Sequence, residues 1–189
     1  MAFTRAVGIG LLGWTALLAT AVGAAAPVQT GSDPAVSARI FTERVERYAR
    51  LRARLEEPLP SFDTRRDAWS LLLTRRYLAS AIRTARARAA QDHIFAPPVD
   101  GFFREAVARA IHHVDIEGLA DGGGEGVVDL VVNEPVPDWA LQDVPQPLLE
   151  QLLPVPTAIS YRIVGGALVL WDDHAEIVID ALPDAFVMR

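Results

Sequence analysis

Apolar residues recur at helical spacing through the first half of the chain and gather into short β-type runs near its end. Over residues 33–57, Ile40, Phe41, Val45, Tyr48, Leu51 and Leu55 fall in one stripe, with Arg39, Glu43, Glu46, Arg47, Arg50 and Arg54 covering most of the other side. Ser32 or Asp33 can cap this helix, Pro34 suits its first turn, and the segment PLPS at 58–61 ends it. A longer helical pattern spans 63–91, with Asp63 or Thr64 as cap. Leu71, Leu72, Leu78, Ala79, Ile82, Ala85 and Ala89 form one broad face of it, and Trp69, Leu73 and Tyr77 form another, so the helix is expected to pack on two sides. A third helix is predicted from Val99 to His113 after Pro97 and Pro98, with Phe102, Phe103, Val107, Ala110 and Ile111 at three- and four-residue spacing.

The glycine-rich stretch within 114–126 reads as a flexible connection, because runs of glycine are entropically expensive to order. Residues 127–134, VVDLVVNE, have the β-branched content of a strand, with a short helix as the other option. A proline-rich extended segment follows, and Leu148–Leu153 can make one or two helical turns. Three β-type runs close the chain at 159–164, 167–171 and 176–182. Gly165-Gly166 joins the first two as a hairpin, and Asp172-Asp173-His174 joins the second pair. The fold class expected is α+β, about three N-terminal helices packed on a small C-terminal antiparallel β-meander. The helical part at 33–113 and the β-rich part at 127–189 are expected to form one domain.

The first 32 residues fit none of this pattern. Arg5 precedes a stretch without charge from Ala6 to Gly31, ending in small residues. Such a segment reads as a secretory signal peptide, and Val22 and Ala24 satisfy the small-residue rule for cleavage after Ala24. Pro27 argues against a cut after Ala26. The competing reading is an uncleaved anchor, since about 20 apolar residues span a bilayer. Gly8, Gly10 and Gly13 lower the hydropathy of this stretch and favour cleavage, which leaves no transmembrane anchor. The localisation expected is therefore periplasmic or secreted.

Composition narrows the chemistry. There is no cysteine, so no disulfide staples the fold and an apolar core must stabilise it. All 18 basic residues are arginine. Residues 33–113 hold 15 Arg against ten acids, while residues 114–189 hold two Arg against 14 acids. A basic half and an acidic half of one domain are expected to dock against each other, or the basic half can offer a surface to an anionic polymer. The net charge of −6 and the export signal argue against nucleic acid as a partner.

The segment from Leu153 to Phe186 resembles the end of a family of uncharacterised exported bacterial proteins, and the likeness extends to the helices and to HIFAPPV at 93–99. Its hairpin is also similar to the small C-terminal β-module of periplasmic RcnB-like proteins, through Tyr161, Arg162, Val164, Gly165, Leu168, Leu170, Asp172, Ile177, Val178 and Asp180. The second resemblance implies a link to nickel and cobalt homeostasis but transfers no ligand. The first implies export and no particular activity.

Candidate metal ligands are His112 and His113, followed by Asp115 and Glu117, and the turn Asp172, Asp173 and His174 with Asp180 beyond it. Adjacent histidines on a helix point about 100° apart, which opposes chelation by the pair. Asp is equally a turn residue because its side chain bonds the local backbone. The Arg pairs at 65–66 and 75–76, with Arg83, Arg86 and Arg88, can clamp phosphate or carboxylate, or simply form a solvated helix surface. No catalytic constellation and no cofactor motif is present; GIGLLG lies inside the signal segment. The sequence thus predicts an exported, non-enzymatic binding or envelope-homeostasis protein whose partner is an envelope protein or an anionic polymer. The alternative is a metal-responsive periplasmic protein acting through His112, His113 or His174.

Overall fold

The computed structural model describes residues 33–62, 67–87, 93–110 and 128–186. The signal segment at 1–24, the connection at 114–126, His112, His113, Arg65, Arg66 and Arg88 lie outside the described residues. Helix α1 spans Pro34–Glu56, and Asp33 caps it by accepting the Ala35 amide at 2.9 Å. Helix α2 spans Ala68–Ala85, later at its start than 63–91 would place it. Asp67, rather than Asp63 or Thr64, is the cap, its carboxylate accepting the Ser70 amide at 2.8 Å. At the other end Arg86 leaves the helical conformation, and its guanidinium turns to tertiary partners described below. Helix α3 covers Val99–Ala110.

The sheet has four antiparallel strands in sequential order, one more than the three runs anticipated. Strand β1 is Gln142–Asp143, β2 Ile159–Val164, β3 Ala167–Asp172 and β4 Ile177–Leu182. The extra strand is two residues long, too short to leave a pattern, and pairs Gln142 with Ile163 and Asp143 with Arg162. Between β1 and β2 a single-turn helix, α4, occupies Gln146–Leu149. It begins before Leu148 because Pro147 sits inside its first turn, where no amide donor is needed. Gly165 and Gly166 make the β2–β3 turn at φ +53° and +77°, the pair of positive values that lets a two-residue turn follow the strands' twist. Between β3 and β4 the register shifts after Leu170, leaving Ile179 as an extra residue in β4.

Every residue of β3 is buried, which accounts for its unbroken apolar run. On one face Tyr161, Ile163, Leu168, Leu170, Ile177 and Ile179 meet the helices. There Phe103 is the hub of an aromatic cluster, with ring centroids 4.7 Å from Phe41, 5.1 Å from Phe95 and 6.1 Å from Tyr161. On the other face Val164, Ala167, Val169, Trp171 and Val178 are covered by Val136 and Ala140, with Val128, Leu130 and Leu141 alongside. The run at 127–134 is therefore neither strand nor helix across its described residues, 128–134. It is a cover that lays Val128 and Leu130, both part-buried, against the sheet, while Val131 is half exposed. Asn133, at φ +69°, turns this cover so that its amide donates to the Val178 carbonyl at 2.7 Å, while the Val178 amide donates to the Glu134 carbonyl at 3.0 Å.

The two glycine sites on described elements give opposite expectations. A Cβ at Gly165 meets nothing within 4 Å, so Gly165→Ala acts through φ alone and should cost about 1 kcal/mol. A Cβ at Gly101 in α3 also meets nothing, and there Gly101→Ala should stabilise by about 0.5–1 kcal/mol. Chemical denaturation of the two variants beside the wild type measures both signs.

Candidate functional site

The acidic turn after β3 does not converge on one point. Asp172 is fully buried, and its carboxylate accepts the Tyr48 hydroxyl at 2.6 Å and the amides of His174 and Ala175 at 3.0 and 2.8 Å. Arg52 Nε lies 3.9 Å away as a flanking charge. Asp173 turns instead to the Ser160 hydroxyl at 2.8 Å and to Arg162. His174 stacks on Phe62 with ring centroids 4.5 Å apart, and its Nδ1 is 3.0 Å from Glu56. Glu56 also pairs with Arg52. Asp172 is thus a turn-closing acceptor spent on three donors, and Arg52 links it to His174 and Glu56, its Nη1 lying 3.1 Å from His174 Nδ1, while Asp173 alone turns away to Ser160 and Arg162. Among the described residues no group of three or more His, Asp or Glu side chains is placed to hold a metal ion. His112 and His113, the other candidates, fall outside those residues.

Asp180 makes a second buried acceptor. It takes the Phe95 amide at 2.7 Å and the Ala181 amide at 2.9 Å, and its Oδ1 lies 3.0 Å from His93 Nδ1. Arg86 works beside it. Its guanidinium donates to the Asn133 side chain at 2.7 Å and to the carbonyl of the bulged Ile179 at 3.1 and 3.2 Å, and it lies over the Tyr48 ring at 4.9 Å. His93 and Glu56 are not among the candidates the sequence offers, and Tyr48 enters it only as part of the apolar stripe of α1. A carboxylate inside an apolar strand is the signal that calls for such partners, because a buried acceptor must find donors.

The basic and acidic halves do meet. Arg75 pairs with Glu176 at 2.6 Å and Arg83 with Glu134 at 2.8 Å, both across the flank of α2. Arg76 lies between them in sequence and, among the described residues, has no ion pair or hydrogen bond. Between α2, Pro135 and the β3–β4 turn lies a cavity of about 300 Å³. Its apolar lining, taken as the floor, is Leu72, Ala79, Pro135, Ala175 and Ile177, and its charged lining is Arg75, Arg76, Arg83 and Glu176.

The next stripe of the same helix is uncovered. Trp69 and Tyr77 are each 65% exposed, and Leu73 between them is only part-buried. The expectation that α2 packs on two sides is corrected here. Its inner face, with Thr74, Leu78 and Ile82, is buried, whereas the face carrying Trp69 and Tyr77 looks outward. An outward face of aromatics beside arginine has the composition that dominates protein-binding hot spots. No described helix is long and apolar enough to cross a membrane.

Comparison with known proteins finds no family, no characterised protein and no solved structure that the chain matches.

Burial first, and the adjoining Asp172 carboxylate second, push the Tyr48 phenol far above its ordinary value of about 10. Burial does the same to Tyr161. In the folded protein both phenols keep their protons at pH values where the unfolded chain loses them. Their contribution to stability is therefore complete below about pH 10 and falls as pH rises above it. Tyr48→Phe should cost about 1–3 kcal/mol at pH 7, because Asp172 loses a donor. Between about pH 10 and pH 12 it should also lose stability less steeply than the wild type, by about 1.4 kcal/mol per pH unit. Denaturant midpoints across that range test this; parallel curves would mean that Tyr48 ionises in the folded state.

Proposed function

We propose that the protein is an exported, non-enzymatic binding protein that docks an envelope protein on the outer face of α2. The observation that carries this reading is the exposure of Trp69 and Tyr77, two turns apart on a helix whose inner face is buried. Leaving two large aromatics in water is unfavourable, and the helix would hold as well with polar residues there, so their presence is best explained by a partner that covers them. The site residues favoured are Trp69, Leu73 and Tyr77. The export reading rests on the uncharged stretch after Arg5 and on the small residues up to Ala24. At the turn, Asp172 is spent on Tyr48 and two backbone amides and His174 on Phe62, Glu56 and Arg52, an arrangement that suits holding the turn to α1 more than chemistry.

A photo-crosslinking amino acid placed at Leu73 in the full-length protein tests the docking face in intact cells. One discrete adduct of reproducible mass is expected, and it should be lost when Trp69→Ala and Tyr77→Ala are combined in the same chain. A smear of adducts unaffected by those changes would overturn the reading. The N-terminal residue of protein recovered from the envelope fraction tests export: Ala25 is expected, and an intact Met1 would contradict cleavage.

A further inference from the structure

We propose that the cavity between α2 and the β3–β4 turn is a binding site for an aliphatic group that carries a carboxylate. This goes beyond the docking face, which uses the neighbouring stripe of the helix. The cavity's volume, about 300 Å³, is at the lower end of the range of small-ligand pockets, and its floor of Leu72, Ala79, Pro135, Ala175 and Ile177 offers only apolar side chains. An aliphatic chain fits such a floor, whereas a sugar or a bare inorganic anion would leave it wet or its own polar groups unpaired.

The charge at the mouth selects the other end of the ligand. Glu176 and Glu134 match Arg75 and Arg83 one to one, and Arg76 is left over. The local balance is a single unmatched positive charge, opposite in sign to the net charge of −6 on the whole chain. One carboxylate satisfies it; a multiply charged phosphate polymer would instead confront Glu176 and Glu134.

Two sources supply this chemistry, a free fatty acid and the C-terminal carboxylate of a peptide ending in an aliphatic residue. Isothermal titration of the protein with octanoate, with octanamide, with acetyl-Ala-Ala-Leu and with its C-terminal amide separates them. Octanoate or the free-acid peptide should bind, and the tighter of the two names the source. The corresponding amide should bind at least about ten-fold more weakly, the scale of one charge-assisted hydrogen bond. Arg76→Gln, an exposed position where folding is not at risk, should weaken the acid about ten-fold. Ala79→Leu, which fills the floor without changing charge, should abolish binding. Trp69→Ala with Tyr77→Ala should leave acid binding unchanged, so loss of the docking face and loss of this site are read separately. Equal binding of acid and amide, or no heat from either acid at millimolar concentration, overturns the proposal, as does wild-type affinity in Arg76→Gln.

Discussion

Strand β3 has no face left for water, and most of the architecture follows from that. A strand buried along its whole length needs apolar cover on both sides and hydrogen-bonded neighbours at both edges. The helices supply one cover, α1 and α3 through the Phe103 cluster and α2 through Leu78 and Ile82, and the segment 128–141 supplies the other. Strands β2 and β4 flank it. The edge of β4 would still offer unpaired backbone groups, but Asn133 and Glu134 bond Val178, and Arg86 takes the carbonyl of the bulged Ile179. The sheet is closed by side chain and loop rather than by a further strand.

The same constraint explains the polar girdle between helices and sheet. Asp172 and Asp180 stand in strands that are otherwise apolar, and each adds to its local amide donors one that arrives from far along the chain. Tyr48 reaches Asp172 from α1, and the Phe95 amide reaches Asp180 from the loop before α3. That loop is itself held by Arg44, which bonds the carbonyls of Ile94, Ala96 and Pro97 at 2.9, 2.6 and 3.3 Å. These pairings set which part of each helix faces which strand, a specificity that apolar packing alone does not provide. The charge asymmetry along the chain is used at the rim of this contact, through Arg75 with Glu176 and Arg83 with Glu134.

Elements whose reason is local could be read from the sequence. Gly165-Gly166 marks its turn because two positive φ values are needed there, and the 3.6-residue stripe of α1 marks its buried face through Phe41, Val45 and Tyr48. Elements whose reason is tertiary could not. The valines at 128–132 look like a strand, because β-branched residues suit a sheet's surface whether they lie in it or on it. The second apolar stripe of α2 looks like core, because periodicity reports that a face is apolar and not that anything covers it. Asp172, Asp173 and His174 read as a cluster because they are neighbours in sequence; the turn sends them to Tyr48, Ser160 and Glu56 in turn. The sequence offers Arg75, Arg76 and Arg83 alike; the pairing of Arg75 with Glu176 and of Arg83 with Glu134 is what sets Arg76 apart.

The order of the chain adds a consequence for biosynthesis. Synthesis delivers the helices first and the sheet last, yet the aromatic cluster of Phe41, Phe95 and Phe103 is completed by Tyr161, and Tyr48 waits for Asp172. Contacts so distant in sequence cannot form until nearly the whole polypeptide has been made. A nascent chain of this design stays open while it leaves the ribosome. For a protein that we propose to be exported, that delay keeps the chain threadable through a translocation channel until the far side is reached, where the last strand lets the domain close.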